Sequence, residues 1–194
     1  MGKRNLIPAP SRIVQAAVEL FNSNGFEQTT FAQIAKKAGL SQPAIYVYYN
    51  NKMDLLAAAC EASAAEGRRF IDGRVDPRKK AIKRLEMYID ANLEFFYHER
   101  AYAQSLMAAY YFASSSTKIR QILTVIESST KARLEVALIH CRNEGENISV
   151  SPDLINSVHS VLVGDCYKAI YLTKPDTLPK LKARSFKSIC RLVG

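Results

Sequence analysis

No tryptophan occurs in the 194 residues, and glycine and proline contribute only 8 and 7. Proline is rare between Pro10 and Pro152, so long segments run without a backbone breaker, a pattern that favours helices. The four cysteines, Cys60, Cys141, Cys166 and Cys190, are far apart and form no C-x-x-C pair, so reduced thiols are expected. His98, His140 and His159 are equally scattered and match no metal-ligand spacing. There is no H-E-x-x-H, no P-loop, no G-x-S-x-G and no usable carboxylate cluster, so no catalytic residue, metal or cofactor is expected. No run approaches the ~18 apolar residues of a spanning helix. The opening Met1-Gly-Lys-Arg-Asn lacks an apolar signal-like core, and a cytoplasmic location without membrane contact is expected.

Acidic residues are the scarcer sign. Lysine and arginine number 27 against 18 aspartates and glutamates, a formal net charge of +9. Residues 1–52 hold six basic and two acidic residues, whereas the excess over 53–194 is spread across nearly three times the length. A polyanionic partner near the N-terminus fits that asymmetry. Apolar residues at 48% and charged residues at 23% mark an ordered globular chain rather than a disordered one.

What is present is helical periodicity. After a basic arm with Lys3, Arg4 and Arg12, the residues Ile13, Ala17, Leu20 and Phe21 recur at helical spacing, with Ser11 as the expected cap and Gly25 as the stop. Thr30 opens a second helix with Gln33 three residues on, a capping box, and Gly39 ends it. Ser41-Gln-Pro-Ala-Ile-Tyr-Val-Tyr-Tyr49 follows at once. Pro43 is tolerated in a first helical turn, where its missing N–H has no intrahelical use. Ile45 and Tyr49, four apart, are expected to point inward. That leaves Gln42, Pro43, Ala44, Tyr46 and Tyr48 outside. Asn51 is expected to cap a fourth helix.

Three short helices within about fifty residues, the last two joined by a tight glycine turn, form the helix-turn-helix pattern. Its second helix enters the DNA major groove. Beyond Met53 no strand pattern competes. Helices are expected near residues 51–71, 77–98, 102–113, 117–145, 152–172 and 179–193. The fold class is therefore all-α, with an N-terminal three-helix head over residues 1–52 and a C-terminal helical domain over 53–194.

From Arg12 to Leu56 the residues RIVQAAVELFNSNGFEQTTFAQIAKKAGLSQPAIYVYYNNKMDLL resemble the TetR family of transcriptional regulators. They share its apolar first helix, Gly-aromatic pair, threonine cap, Ile-Ala-x-x-Ala-Gly-Leu-Ser run, tyrosine in the recognition helix and later lysine. The resemblance implies a homodimer that reads a palindromic double-stranded operator and releases it when a small molecule binds the C-terminal domain. A repressor is the expected form; the alternative is an activator, or a regulator of the same fold with a protein or acyl-type effector. By motif position, Gln42, Pro43, Ala44 and Tyr46 would meet bases and Thr30, Tyr48 and Lys52 phosphates, with Ser41 opening the recognition helix. Ala32 departs from the pattern, since some relatives carry a basic residue there.

Lys52 stands out on physical grounds too, because a cation at the first position of a helix opposes the macrodipole unless a phosphate binds there. The run Arg78-Lys79-Lys80, with Lys83 and Arg84, is expected to start a helix far from DNA and to be a solvated face, with an anionic effector or partner as the lesser reading. Tyr88, Asn92, Phe95, Phe96, Tyr110, Tyr111 and Phe112 supply aromatic surface for an effector pocket. Stripes at Leu154, Val158, Val161, Leu162, Cys166 and Ile170, and at Phe186, Ile189, Cys190 and Val193, are expected to form a four-helix dimer interface, with Gly164 permitting close approach. An enzyme tethered to DNA finds no motif to support it, and a helical adaptor leaves Lys52 and the exposed tyrosines without a task.

Overall fold

Apolar residues spaced three and four apart resolve into nine α-helices, with no strand, among residues 7–193, the part of the chain that the computed structural model describes. Lys3 and Arg4 lie outside the described residues. The helices are α1 (Ala9–Asn24), α2 (Phe31–Ala38), α3 (Gln42–Tyr46), α4 (Lys52–Asp72), α5 (Ala81–His98), α6 (Arg100–Phe112), α7 (Thr117–Asn143), α8 (Pro152–Tyr171) and α9 (Leu178–Val193). A 3-10 turn at Pro175–Thr177 precedes α9.

Cap chemistry sets several of these ends. The Thr30 side chain accepts from the Gln33 N–H at 3.3 Å, while the Gln33 side chain accepts from the Thr30 N–H at 2.8 Å. That reciprocal pair satisfies two donors that α2 would otherwise leave bare. Gly39, at φ +66°, ends α2 in the left-handed region that a Cβ disfavours. Asn51 accepts from the Asp54 N–H at 2.8 Å and starts α4. Two starts differ from the expected ones. Helix α1 begins at Ala9, so Ser11 lies inside its first turn; Pro10 fits there because its fixed φ suits a helix start. Helix α5 begins at Ala81 rather than Pro77. The Asp76 carboxylate accepts from the Arg78 N–H at 3.0 Å, and Glu144, from the end of α7, accepts from the Ala81 N–H at 2.7 Å. Arg78, Lys79 and Lys80 therefore sit in the turn before α5 and not in its first turns.

The core falls into two apolar clusters. One gathers Ile13, Ile34, Ile45, Leu55 and Leu56 from α1–α4 with Leu106 and Ile119 from α6 and α7. The other gathers Leu85 and Ile89 of α5, Leu134 and Leu138 of α7, Val158 and Leu162 of α8, and Ile189 of α9. Helix α4 feeds both: Leu55 to Ala64 enter the first cluster and Ile71 the second. The junction expected at 52/53 is thus the start of a continuous 21-residue helix, about 31 Å long at 1.5 Å per residue.

Two expectations are corrected here. Arg12 is not part of a mobile arm: it lies in α1, half-buried, and donates through Nη1 to the Ala38 carbonyl at the end of α2 at 3.2 Å. The α8 and α9 stripes do not face outward. Val158, Leu162, Cys166 and Ile170 are buried within the chain, as are Ile189 and Val193, because α8 and α9 pack on α5 and on each other. The outward side of α8 instead carries Ser157, Ser160, Gly164, Tyr167 and Tyr171.

Ile45 is the fully buried anchor of the five-residue α3. Ile45→Ala is expected to cost about 3 kcal/mol, in the range for emptying a buried aliphatic site. Urea unfolding of the two proteins measures it, and a loss below about 1 kcal/mol would mean that α3 is held by its turns instead.

Candidate nucleic-acid interface and ligand cavity

Helix α3 buries Ile45, half-buries Ala44 and exposes Gln42, Pro43 and Tyr46; Ser41 before it and Tyr48 after it are also exposed. Tyr46 leans edge-on against Phe31 of α2, ring centroids 5.0 Å apart, yet is 53% exposed. Tyr49 is half-buried against the first cluster. An open groove runs between the starts of α2 and α4 and the side of α3. It brings together Thr30, Gln42, Tyr46 and Lys52 and adds Asn50 and Asn51. Ser41, Pro43, Ala44 and Tyr48 lie off that groove, on the rest of the α3 segment. Exposed Ala32 and acidic Glu27 also border it, and Glu27 is the one member that would repel a phosphate.

Val47 was not singled out from the sequence. It is 76% exposed at the end of α3, and the only signal for it was a β-branched residue at a position that the helical period turns outward.

Lys52 has a second explanation. Its ammonium donates to the Phe26 and Glu27 carbonyls at 3.0 and 2.8 Å and sits 4.9 Å from the centroid of the Phe26 ring. Those two carbonyls offset the unfavourable position at the start of α4 without any phosphate. One of the three ammonium hydrogens remains for a further acceptor. Thr30 is likewise engaged as a cap, although its oxygen stays exposed on the groove.

Deeper in the chain, a cavity of about 110 Å³ lies between α4, α5, α6, α7 and α8. Tyr88, Asn92, Phe95, Phe96 and Tyr110, all expected at a pocket, line it together. Tyr111 is 80% exposed and Phe112 stacks on Phe26, so these two do not. Polar groups missed from the sequence also line the cavity, among them Arg68, Glu127, Thr130, Arg133 and His159. Glu127, Thr130 and Arg133 recur at helical spacing on α7, and that polar stripe on an otherwise packed helix was the available signal. Asn92 donates to the Tyr88 carbonyl at 2.7 Å. Glu127 pairs with Lys131, and Arg133 pairs with Asp72 while lying 5.3 Å from the Tyr88 ring centroid. Cys166 lines the cavity, and burial raises its thiol well above the usual range; Cys60, buried outside the cavity lining, is pushed up to about 12 for the same reason.

Against that geometry, residues 13–59 match the family described as bacterial regulatory proteins, tetR family. Over 67 residues the chain is 36% identical to the tetracycline repressor protein class A from transposon 1721 of Escherichia coli, covering 34% of this chain. Residues 13–59 are a TetR-family domain. The match spans 31% of that relative's length, about the N-terminal third of the present chain. Two solved structures carry the likeness to the rest. A transcriptional regulator from Saccharomonospora viridis in complex with choline superposes with a TM-score of 0.82 at 14% identity, covering 95% of this chain and 97% of that one. AibR in complex with isovaleryl coenzyme A and operator DNA superposes with a TM-score of 0.72 at 17% identity, covering 94% and 98%. At these identities they establish the fold: a helix-turn-helix head on an all-helical body.

His159, buried in the cavity wall, has its pKa lowered chiefly by burial, with Glu127 pulling the other way. Below pH 6.5 the unfolded chain therefore binds a proton that the folded chain resists, and stability falls as pH drops from 6.5 through the lower folded value. Melting temperature followed from about pH 7.5 to 5.5 should show a shallower decline in His159→Gln than in the parent. Parallel curves would place the titration elsewhere.

Proposed function

We propose that this chain is a DNA-binding transcriptional regulator that acts as a homodimer on a palindromic operator, a repressor released when a small molecule fills the cavity. One observation carries the reading: the exposed side of α3 and the starts of α2 and α4 share a groove that holds Thr30, Gln42, Tyr46 and Lys52. Gln42 has the amide to read an adenine edge, and Pro43, Ala44 and Val47 have the apolar surface for a thymine methyl. Thr30, Tyr48 and the spare hydrogen of Lys52 serve as phosphate donors. AibR is a neighbour of the same fold bound to operator DNA and an acyl thioester, which supports both halves of the proposal. The head's charge asymmetry favours a polyanion, and the soluble, DNA-binding character of the family fits a cytoplasmic location.

Coupling between cavity and head runs along α6. Leu106, Met107 and Tyr110 line the cavity, and Phe112, two residues beyond, stacks on Phe26 at 4.6 Å between centroids. Phe26 is the residue that Lys52 covers. A ligand that shifts α6 moves Phe112, hence the α1–α2 turn, hence the start of α4 and the groove. It weakens DNA binding only through its differential affinity for the two arrangements.

An electrophoretic shift on the region upstream of its own gene tests the regulator. Tyr46→Ala should weaken the sequence-selective shift by about ten- to a hundredfold. Thr30→Asp keeps a capping side chain but opposes phosphate, so it should weaken binding while leaving the melting temperature within about a degree or two. No selective shift by the parent protein at moderate salt would overturn the reading.

The dimer rests on α8 and α9, the helices expected from the sequence, through their outward side. A Cβ built on Gly164 meets nothing within 4 Å, so the helix presents bare backbone there, beside exposed Ser157 and Ser160. Such a surface lets a second helix approach closely. Gly164→Arg is expected to yield a folded monomer by light scattering, with operator binding lost. A variant that remains dimeric would move the interface elsewhere.

A further inference from the structure

The cavity and a surface groove beside it meet at the same three residues. The groove, about 560 Å³, opens between the turn before α5, α5 itself and α7, and it shares Tyr88, Ser129 and Arg133 with the cavity wall. The cavity is mostly lined by apolar and aromatic side chains. The groove is basic: Arg84, Arg133 and His140 face Asp72 as its one acidic member. Lys79 and Lys80 lie in the turn at its edge, and neither forms an ion pair among the described residues. The basic run that the DNA-binding reading left without a task thus ends at the mouth of the ligand cavity.

We propose that the effector is an amphipathic anion, with a short apolar tail in the cavity and a larger anionic head in the groove on Arg84 and Arg133. The inference rests on the regulator reading and names the chemistry of its ligand. Size limits the tail. An apolar cavity near ~150 Å³ takes a benzene-sized molecule, so about 110 Å³ suits a tail of roughly four or five carbons. The groove, several times larger, leaves room for a head bulkier than a carboxylate. Charge decides the sign of the head. Glu127, the carboxylate that a cationic ligand would need, is bound to Lys131 at 2.5 Å. Arg84 has only long contacts: 3.5 Å to Glu144, 3.4 Å to His140 Nδ1, and a hydrogen bond donated through Nη1 to the Pro77 carbonyl at 3.3 Å. Arg133, stacked on Tyr88 and paired with Asp72, stands where the two hollows join. An anionic head that draws Arg133 from Asp72 also turns Tyr88, and so opens the cavity to the tail.

Isothermal titration of the intact protein, without DNA, tests this. The probes are a four- or five-carbon acyl coenzyme A, coenzyme A without the acyl group, the free short-chain acid, the matching alcohol and an alkyltrimethylammonium salt. The acyl coenzyme A should bind at least about tenfold tighter than coenzyme A or the alcohol. Arg84→Gln and Arg133→Gln should each weaken it by about tenfold, and added salt should weaken it further. Two variants are used because the loss of Arg133 also strips Asp72 of its partner, whereas Arg84→Gln leaves that pair intact. Thioester binding well above the free acid assigns the head to a phosphorylated carrier; free acid binding as tightly as the thioester leaves the groove without a head and overturns the proposal. Preference for the ammonium salt or the alcohol, or unchanged affinity in both arginine variants, overturns the proposal. A protein that shifts DNA but ignores every anion sinks this inference alone. One that binds the anion but no DNA sinks the regulator reading alone.

Discussion

Phe26 is the residue at which head and body meet. Its ring packs on Phe21 of α1 at 5.1 Å and on Phe112 of α6 at 4.6 Å, while its carbonyl and ring both hold the Lys52 ammonium. Three contacts from three helices therefore meet on one residue of a turn. A five-residue helix such as α3 cannot hold itself, since nucleation outweighs so few hydrogen bonds. It stays in place because it packs on α2 and buries Ile45 in the first apolar cluster. Lys118 of α7, donating to Asp54 at 3.0 Å, adds a second tie between the body and the start of α4.

Much of this was legible in the residues themselves. The Thr30–Gln33 capping box and the Gly39 stop are local chemistry, and they form the ends that the sequence predicts. Four of the cavity-lining residues, Tyr88, Asn92, Phe95 and Phe96, lie on α5, and Tyr110 joins them from α6. Three things were not legible, each for a physical reason. Pro8 and Pro10 start α1 ahead of Ser11, because a proline fitted to the first turn competes with a serine cap on equal terms. The stripes of α8 and α9 read as a dimer face because an apolar stripe records that it is covered and not by which chain. The ammonium of Lys52 finds its carbonyl partners 25 and 26 residues upstream, a pairing that no local pattern encodes.

Under the proposed DNA-binding reading, Lys52 would combine a structural and a recognition role in one atom. Two of its hydrogens hold the turn, which places the third beside Thr30 and Gln42. A lysine already ordered by the fold loses less side-chain entropy on meeting a phosphate than a free one, whose freezing costs up to ~2 kcal/mol. The contacts that first argue against a DNA role therefore lower the cost of one.

The energetics of release bear on what must bind in the cavity. Moving a two-state equilibrium from 1:99 to 99:1 takes about 5.5 kcal/mol of differential affinity. A tail of four or five carbons, at ~0.8 kcal/mol per buried methylene, supplies at most about 4 kcal/mol. Such a tail would meet the rings of Phe95 and Phe96, whose centroids are 5.6 Å apart. Little slack exists there: a Cβ on Gly67 of α4 would lie 3.2 Å from the Phe95 ring, so α4 and α5 already touch at the cavity wall. Apolar burial alone therefore falls short of a full switch. The remainder must come from polar contacts made in one arrangement and not in the other, and the arginines of the adjoining groove are the groups placed to make them. Under the proposal, the tail would select the ligand, and the head would provide the difference that moves α6.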